Sequence, residues 1–304
     1  MSATCGKSNI INFVTDRQTY TGDNVSVLLS VVDDYVMGVT RLHDVVYIVC
    51  WRSAAIIRFD VVAHERLTDI TVKGLSEPWD IVACQQTAQL YVADSSYYFD
   101  PDDDDYDRHD AAKCVWQVSS DGEDVKRLLP KSPSDTIKPY TLSVTSSRLL
   151  VTSRATNQLR QYDTVGDELR RVDLPDNMTL QHAVESPTGT FIVSHENTQL
   201  KQWQVSEVNT GGQVLRQFSG SRLLPLGVTP HVAVDSQGNI FLAHRGNNCI
   251  LLLDSKLALR RFIIDEHQLN YKEPRRLCYN ELTRQLLVGF DKGGDVAVFD
   301  VLRR

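Results

Sequence analysis

The chain has 304 residues, of which 42% are hydrophobic and 23% charged, and its formal net charge is −7. This composition excludes a long disordered chain. The net charge argues against a uniformly basic nucleic-acid-binding surface, although a local basic face is compatible with it. No run of about 18 apolar residues occurs and the N-terminus is polar, so we expect neither a transmembrane helix nor a signal peptide. The six cysteines lie far apart, which is typical of free thiols in a reducing compartment and predicts a cytoplasmic location.

An internal repeat runs through the whole chain. An apolar, strand-like segment recurs six times, at intervals of 42 to 59 residues, beginning at Val46, Leu90, Leu149, Phe191, Ile240 and Leu286. Each copy is followed by a segment of alternating apolar and polar residues, which marks a half-buried strand. One further strand on either side gives four short strands per unit. Six such units predict an all-β fold, a six-bladed β-propeller with four-stranded antiparallel blades.

The two ends of the chain fit together in this scheme. The sixth unit stops at Arg304, directly after its third strand, while the segment 25–31 has a strand pattern and precedes the first unit. We therefore expect this N-terminal strand to complete the last blade and close the ring, which removes exposed strand edges. Residues 1–304 are predicted to form a single, self-sufficient and monomeric domain.

One long insertion, at about residues 95–112, interrupts the second unit and contains the acidic run Asp102-Asp-Asp-Asp105. The sequence from Asp100 does not match the calcium-binding loop of an EF-hand, because Asp105 occupies the position of the required glycine and Ala111 that of the required glutamate. Two interpretations stay open. The insertion is either a solvated loop or a lid over the basic face described below.

Two stretches resemble a known repeat family. Residues 229–250 combine a Thr-Pro-His start, the strands Val-Ala-Val and Ile-Phe-Leu-Ala, and a following Asn-Asn pair; residues 77–94 contain Glu-Pro-Trp-Asp-Ile-Val and Leu-Tyr-Val-Ala-Asp. This pattern resembles the NHL repeat, and the segment 273–289 resembles the last blade of NHL propellers in TRIM-like animal proteins. The resemblance implies a propeller that binds proteins or RNA. The chain has no RING, B-box or coiled coil, so ubiquitin-ligase activity is not expected.

A basic and aromatic set is predicted on one face of the propeller, called the top, where first strands begin and second strands end. Its members are Trp51, Arg52, Trp79, Tyr140, Arg154, Arg245, Arg275 and Arg276. Guanidinium groups beside aromatic rings suit phosphates, stacked bases or acidic peptides. These eight residues are the candidate ligand-binding site.

Four histidines are predicted on the same face: His182, His195, His231 and His244. Imidazole is the commonest metal ligand, so the four form a candidate metal site. The alternative is that they are polar channel residues bonded to the backbone or to water.

The sequence predicts a non-enzymatic binding or scaffold module that uses its top face for a protein or an anionic ligand. One alternative is an RNA-binding propeller that uses Arg52, Arg154, Arg245, Arg275 and Arg276. Another is a metal-dependent hydrolase or lyase at the four histidines. No GxSxG, HExxH, P-loop or Rossmann fingerprint is present, so no catalytic residue is named. No cofactor is expected unless the histidines hold a metal ion.

Overall fold

A computed structural model describes residues 25–30 as backbone, and residues 35–95, 113–132, 134–135, 137–220, 226–227, 231–267, 269, 272–291 and 294–301 in full. Within these ranges the chain forms 24 β-strands and one short 3-10 turn, Arg245–Asn247. None of the described elements is a helix long and apolar enough to cross a membrane. The acidic insertion predicted from the sequence lies outside the described ranges from residue 96 to residue 112.

The strands of the first half follow one another along the chain in sets of four. They are β1 (Val25–Ser30), β2 (Val36–Leu42), β3 (Val45–Cys50), β4 (Ala55–Asp60), β5 (Glu65–Thr71), β6 (Pro78–Cys84), β7 (Gln89–Asp94), β8 (Cys114–Ser119), β9 (Val125–Leu129), β10 (Leu142–Thr145), β11 (Arg148–Ser153), β12 (Gln158–Tyr162) and β13 (Glu168–Asp173).

The second half continues the same order. Its strands are β14 (Met178–Glu185), β15 (Phe191–Asn197), β16 (Gln202–Val208), β17 (Val214–Phe218), β18 (Val232–Val234), β19 (Ile240–His244), β20 (Cys249–Leu253), β21 (Leu259–Ile264), β22 (Pro274–Asn280), β23 (Gln285–Phe290) and β24 (Asp295–Asp300).

These strands form six four-stranded antiparallel sheets, which confirms the six-bladed β-propeller. Blades 1 to 5 are β2–β5, β6–β9, β10–β13, β14–β17 and β18–β21, each in sequential order. Blade 6 has the order β1-β24-β23-β22, so the N-terminal strand pairs with the last strand of the chain. Strand β1 ends at Ser30, one residue before the predicted boundary.

Burial falls from the inside of each blade to its edge. The second strands are almost fully buried, as in β3, β11 and β23, because both of their faces pack against neighbouring blades. Their near-continuous apolar runs follow from this double burial. The outermost strands β13 and β17 are mostly exposed, and most residues of β13 are charged.

The hydrophobic core is divided among the interfaces between blades. Six apolar clusters occur in the described residues, and each joins two adjacent blades. One of them packs Val36, Val46 and Phe59 of blade 1 against Leu287 and Val298 of blade 6. The ring is therefore closed by apolar packing as well as by the pairing of β1 with β24.

Candidate functional site

Six residues at equivalent positions, one in each blade, form what we call the waist ring of the central channel. Each of these residues lies in the first strand of its blade or directly before it. Each is opposite the fourth residue of the repeated apolar segment, as Asp80 is opposite Ala93 and His182 is opposite Ser194. The ring consists of Gly38, Asp80, Thr141, His182, His231 and Arg276. A register shift directly precedes the ring residue in blades 1, 2, 4 and 6.

Three ring side chains accept hydrogen bonds from the backbone of the next blade. In every case the donor is the N–H group that follows the next ring residue. The bonds are Leu142 N–H to Asp80 Oδ2 (2.9 Å), Val232 N–H to His182 Nδ1 (3.4 Å) and Leu277 N–H to His231 Nδ1 (3.3 Å). These side chains therefore tie each blade to its neighbour.

Two other ring side chains donate to backbone carbonyls of other blades. Thr141 Oγ1 donates to Gln181 O (2.9 Å). Arg276 donates from Nε to Met37 O (2.5 Å) and from Nη2 to Trp79 O (3.1 Å), which links blade 6 to blades 1 and 2. Gly38 has no side chain at this position because a Cβ there would lie 2.6 Å from the backbone N of Ile81.

The protonation states of the ring follow from burial and from these bonds. Burial lowers the pKa of His182 to about 3 and that of His231 well below its usual value. Burial raises the pKa of Asp80 to about 6, against the opposing effect of the Arg276 guanidinium. Burial also lowers the pKa of Arg276, to about 10, so this side chain stays cationic at neutral pH. Both histidines are therefore neutral beside a cation.

The waist ring separates two cavities. The lower cavity has a volume of about 290 Å³ and is lined by ring residues and by the lower part of the first strands, including Glu185 and Asn280. The upper cavity has a volume of about 170 Å³. Its lining consists of Trp79, Tyr140, Thr141, Gln181, His182, His231, Arg245, Arg275 and Arg276.

Ion pairs position the guanidinium groups at the upper cavity. Arg245 Nε donates to Glu273 Oε2 at 2.7 Å. Asp291, which is 4% exposed, accepts from both Arg245 and Arg275 and bridges them. Arg276 lies below, with its Nε 4.0 Å from Asp80 Oδ1. Three guanidinium groups at the cavity are thus matched by three carboxylates.

Aromatic rings form one wall of the same cavity. The Trp79 and Tyr140 rings are 5.4 Å apart between centroids, and the Arg275 guanidinium lies 5.5 Å from the centre of the Trp79 ring. The Tyr140 hydroxyl donates to Gln181 Oε1 at 3.1 Å. Arg154 lies 5.8 Å from the centre of the Tyr140 ring but does not line the cavity.

Five of the eight predicted ligand-binding residues meet at the upper cavity: Trp79, Tyr140, Arg245, Arg275 and Arg276. Arg276 is the most deeply placed of the five, since it is 6% exposed and bonded to backbone carbonyls inside the channel. Trp51 and Arg52 do not join the set. Arg52 lies 4.4 Å over the Trp51 ring, in the turn after β3, so these two residues form a separate pair.

The four predicted histidines make different contacts. The His182 and His231 rings stack with centroids 3.6 Å apart. His195 turns away and bonds Ser206 Oγ at 2.9 Å, and His244 Nε2 lies 3.3 Å from Asn247 Nδ2. In the described part of the chain, the group whose ligand atoms lie within 4.8 Å of one another is Asp80, His182 and His231.

The sequence interpretation missed Gln181 and Thr141 and did not include Asp80 in either candidate site. The signal that points to them is their position. Asp80 and Thr141 occupy the same place in their blades as the two stacked histidines, and Gln181 immediately precedes one of them.

Comparison with known proteins gives structural relatives only. No protein-family model matches the chain, and no curated protein matches it by sequence. The fold is similar to a protein of unknown function from Bacteroides thetaiotaomicron (TM-score 0.65, 12% identity, 97% of this chain and 72% of the other).

It is also similar to an inactive variant of virginiamycin B lyase from Staphylococcus aureus, solved with quinupristin (TM-score 0.59, 12% identity, 90% of this chain and 99% of the other). A third relative is hydrazine synthase from Kuenenia stuttgartiensis (TM-score 0.57, 13% identity, 88% of this chain and 83% of the other). Identities this low establish the propeller fold alone. The NHL and TRIM-like resemblance stays a prediction.

Proposed function

We propose that this protein is a binding module that takes an anionic ligand in the upper cavity of its propeller. The observation that supports the proposal is the meeting of Arg245 and Arg275 with the aromatic wall of Trp79 and Tyr140 around one cavity. Guanidinium groups bind oxyanions with directed N–H donors, and aromatic walls hold the apolar part of a ligand. Convergent polar groups in a concave channel are typical of small-ligand sites.

The test is isothermal titration of the purified protein with benzoate, inorganic phosphate, a hexaglutamate peptide and a U-rich oligonucleotide. The variant Arg275→Gln removes one guanidinium and leaves Asp291 paired with Arg245. The control Arg171→Gln removes an exposed arginine of β13, on the outer edge of blade 3. We expect the wild type and the control to bind an anion, and Arg275→Gln to bind it at least several-fold more weakly. Absence of binding by the wild type, or equal binding by all three proteins, would contradict the proposal.

The RNA-binding alternative makes a different prediction in the same titration. The oligonucleotide would then bind with an affinity that falls steeply with salt. Its binding would depend on Arg52 and Arg154, which lie outside the upper cavity, so the double variant Arg52→Gln/Arg154→Gln identifies this outcome.

A metal-dependent lyase or hydrolase is the second candidate, and the Asp80, His182 and His231 cluster favours it. The hydrogen bonds of the two imidazoles oppose it. His182 Nε2 must donate to Leu142 O, since a carbonyl only accepts, and both Nδ1 atoms accept backbone N–H groups. A neutral imidazole with such an Nδ1 carries its proton on Nε2, where a metal would have to bind.

Elemental analysis of the purified protein tests this second candidate. Zinc, manganese or a similar ion in near-stoichiometric amount, lost in His182→Gln/His231→Gln, would support it. A metal-free protein whose melting temperature does not rise on addition of these ions would contradict it.

A further inference from the structure

Three side chains that line the upper cavity each carry a buried N–H group. These groups are Trp79 Nε1, Gln181 Nε2 and His231 Nε2, and none has a hydrogen-bond partner among the residues that the structure describes. Gln181 is 4% exposed and His231 6% exposed, and all three side chains line the same cavity of about 170 Å³. A buried polar group left without a partner destabilises the fold. Three such groups around one cavity point to a ligand.

All three groups are donors. The indole of Trp79 has a single N–H and no acceptor. The Gln181 amide accepts the Tyr140 hydroxyl on Oε1, so its NH₂ group supplies the hydrogens. His231 Nδ1 accepts from Leu277 N–H, so its neutral ring carries the proton on Nε2. The ligand must therefore present hydrogen-bond acceptors.

The charges around the cavity limit the charge of the ligand. Arg245 and Arg275 share Asp291, Arg245 also binds Glu273, and Arg276 Nε lies 4.0 Å from Asp80 Oδ1. With these cations already matched, the cavity suits one negative charge better than the two charges of a phosphate. Among the described residues, Arg275 pairs with Asp291 through Nη1 and lies against the Trp79 ring, so its Nε and Nη2 groups can donate to a ligand.

We infer that the upper cavity is a carboxylate pocket. The two carboxylate oxygens accept hydrogen bonds from Gln181, His231, Trp79 and Arg275, and the aromatic wall packs against the hydrocarbon part of the ligand. The inference rests on the proposed function and names its ligand class. The carboxylate belongs either to a small organic acid or to the C-terminus of a peptide, and the experiment below separates these sources.

The experiment measures affinity by isothermal titration and by tryptophan fluorescence, since Trp79 lies in the cavity wall. The probes are benzoate and benzamide, N-acetylphenylalanine and its amide, and inorganic phosphate. We expect each carboxylate to bind at least tenfold more tightly than its amide and more tightly than phosphate. Tighter binding of N-acetylphenylalanine than of benzoate assigns the pocket to a peptide terminus, and the reverse order assigns it to a free acid.

Two variants with matched controls test the donors. Gln181→Glu keeps the acceptor for Tyr140 but replaces the NH₂ donor by a negative charge, and its control Gln213→Glu changes an exposed glutamine of the same blade. Trp79→Phe removes an indole N–H, and its control Trp51→Phe alters a tryptophan outside the cavity. We expect Gln181→Glu to lower carboxylate affinity by about 10–100-fold, Trp79→Phe to lower it several-fold, and the controls to leave it unchanged. Melting temperatures within a few degrees of the wild type confirm folding.

The outcomes separate this inference from the proposed function. If anions bind and Arg275→Gln weakens them, but Gln181→Glu and Trp79→Phe do not, the carboxylate pocket is wrong and the anion-binding module stands. Equal affinity for carboxylates and their amides, or a preference for phosphate, also overturns the carboxylate inference. If the wild type binds no anion, both proposals fail.

Discussion

Replacement of Arg276 by Met is the most direct test of how the waist ring holds the blades together. This guanidinium is buried and donates to Met37 O of blade 1 and Trp79 O of blade 2. Its Nε lies 4.0 Å from the Asp80 carboxylate. Methionine fills a similar length without donors, so both carbonyls lose this partner and the Asp80 carboxyl group loses its counter-ion.

The expected cost can be worked from these contacts. Removal of one partner of a buried ion pair costs about 3–5 kcal/mol, because the other charge stays behind. Burial already raises the pKa of Asp80 to about 6 while Arg276 opposes the rise. Without Arg276 the pKa rises further, and the native variant binds a proton that the unfolded chain releases at pH 7. Its stability therefore improves as pH falls from 7 towards 5, by up to about 1.4 kcal/mol per pH unit.

Urea unfolding of the wild type, Arg276→Met, Asp80→Asn and the double variant gives the assay. We expect Arg276→Met to lose about 3–5 kcal/mol at pH 7 and less at pH 5. The double variant should lose less than the sum of the single changes, by about 0.5–3 kcal/mol. Arg171→Met, on an exposed strand, is the control and should change stability by less than about 0.5 kcal/mol. A loss below about 1 kcal/mol for Arg276→Met, together with no coupling to Asp80, would refute the reasoning.

Three further predictions concern the ring and its closure. Gly38→Ala should cost about 1–3 kcal/mol in urea unfolding, because the new Cβ would lie 2.6 Å from the backbone N of Ile81; wild-type stability would contradict this packing. His182 has a pKa lowered to about 3 by burial, so it contributes stability that is present above pH 6.5 and lost as pH falls towards 3. Between pH 7 and 5, the free energy of unfolding of His182→Gln should therefore fall by about 2 kcal/mol less than that of the wild type; parallel pH curves for the two proteins would exclude this contribution. Deletion of residues 1–31 removes the partner of β24 and should lower the melting temperature and produce oligomers in sedimentation velocity, since it exposes a strand edge; an unchanged monomer would show that β1 does not close the ring.

The blades could be predicted from the sequence because their signal is repeated and local. The second strand of each unit is buried on both faces, so it appears as an apolar run such as Val45–Cys50 or Gln285–Phe290. Six copies at a similar spacing leave few folds that satisfy all of them at once. The closure by β1 also followed, because the last unit lacked one strand and the chain offered a strand pattern before the first.

The sequence could not predict which of the four histidines come together in the channel. Side chains of a strand alternate between its two faces, and residues directly opposite each other share a face. His182 lies opposite Ser194, and His231 pairs with Ala243. His195 and His244 come one residue later and therefore project to the other face. The register shift between Leu180 and His182 sets which residue faces the channel, and no residue type in the sequence marks such a bulge.

A structural ring and the proposed ligand site occupy one channel, and in blades 2, 4 and 6 a bulge lies beside both. The ring residues Asp80, Thr141, His182 and Arg276 bind the backbone of other blades. The residue before each of them lines the upper cavity, namely Trp79, Tyr140, Gln181 and Arg275. Bulges commonly redirect a side chain beside a functional site. In this propeller, neighbouring positions of one strand hold the blades together and line the proposed ligand site, and His231 does both.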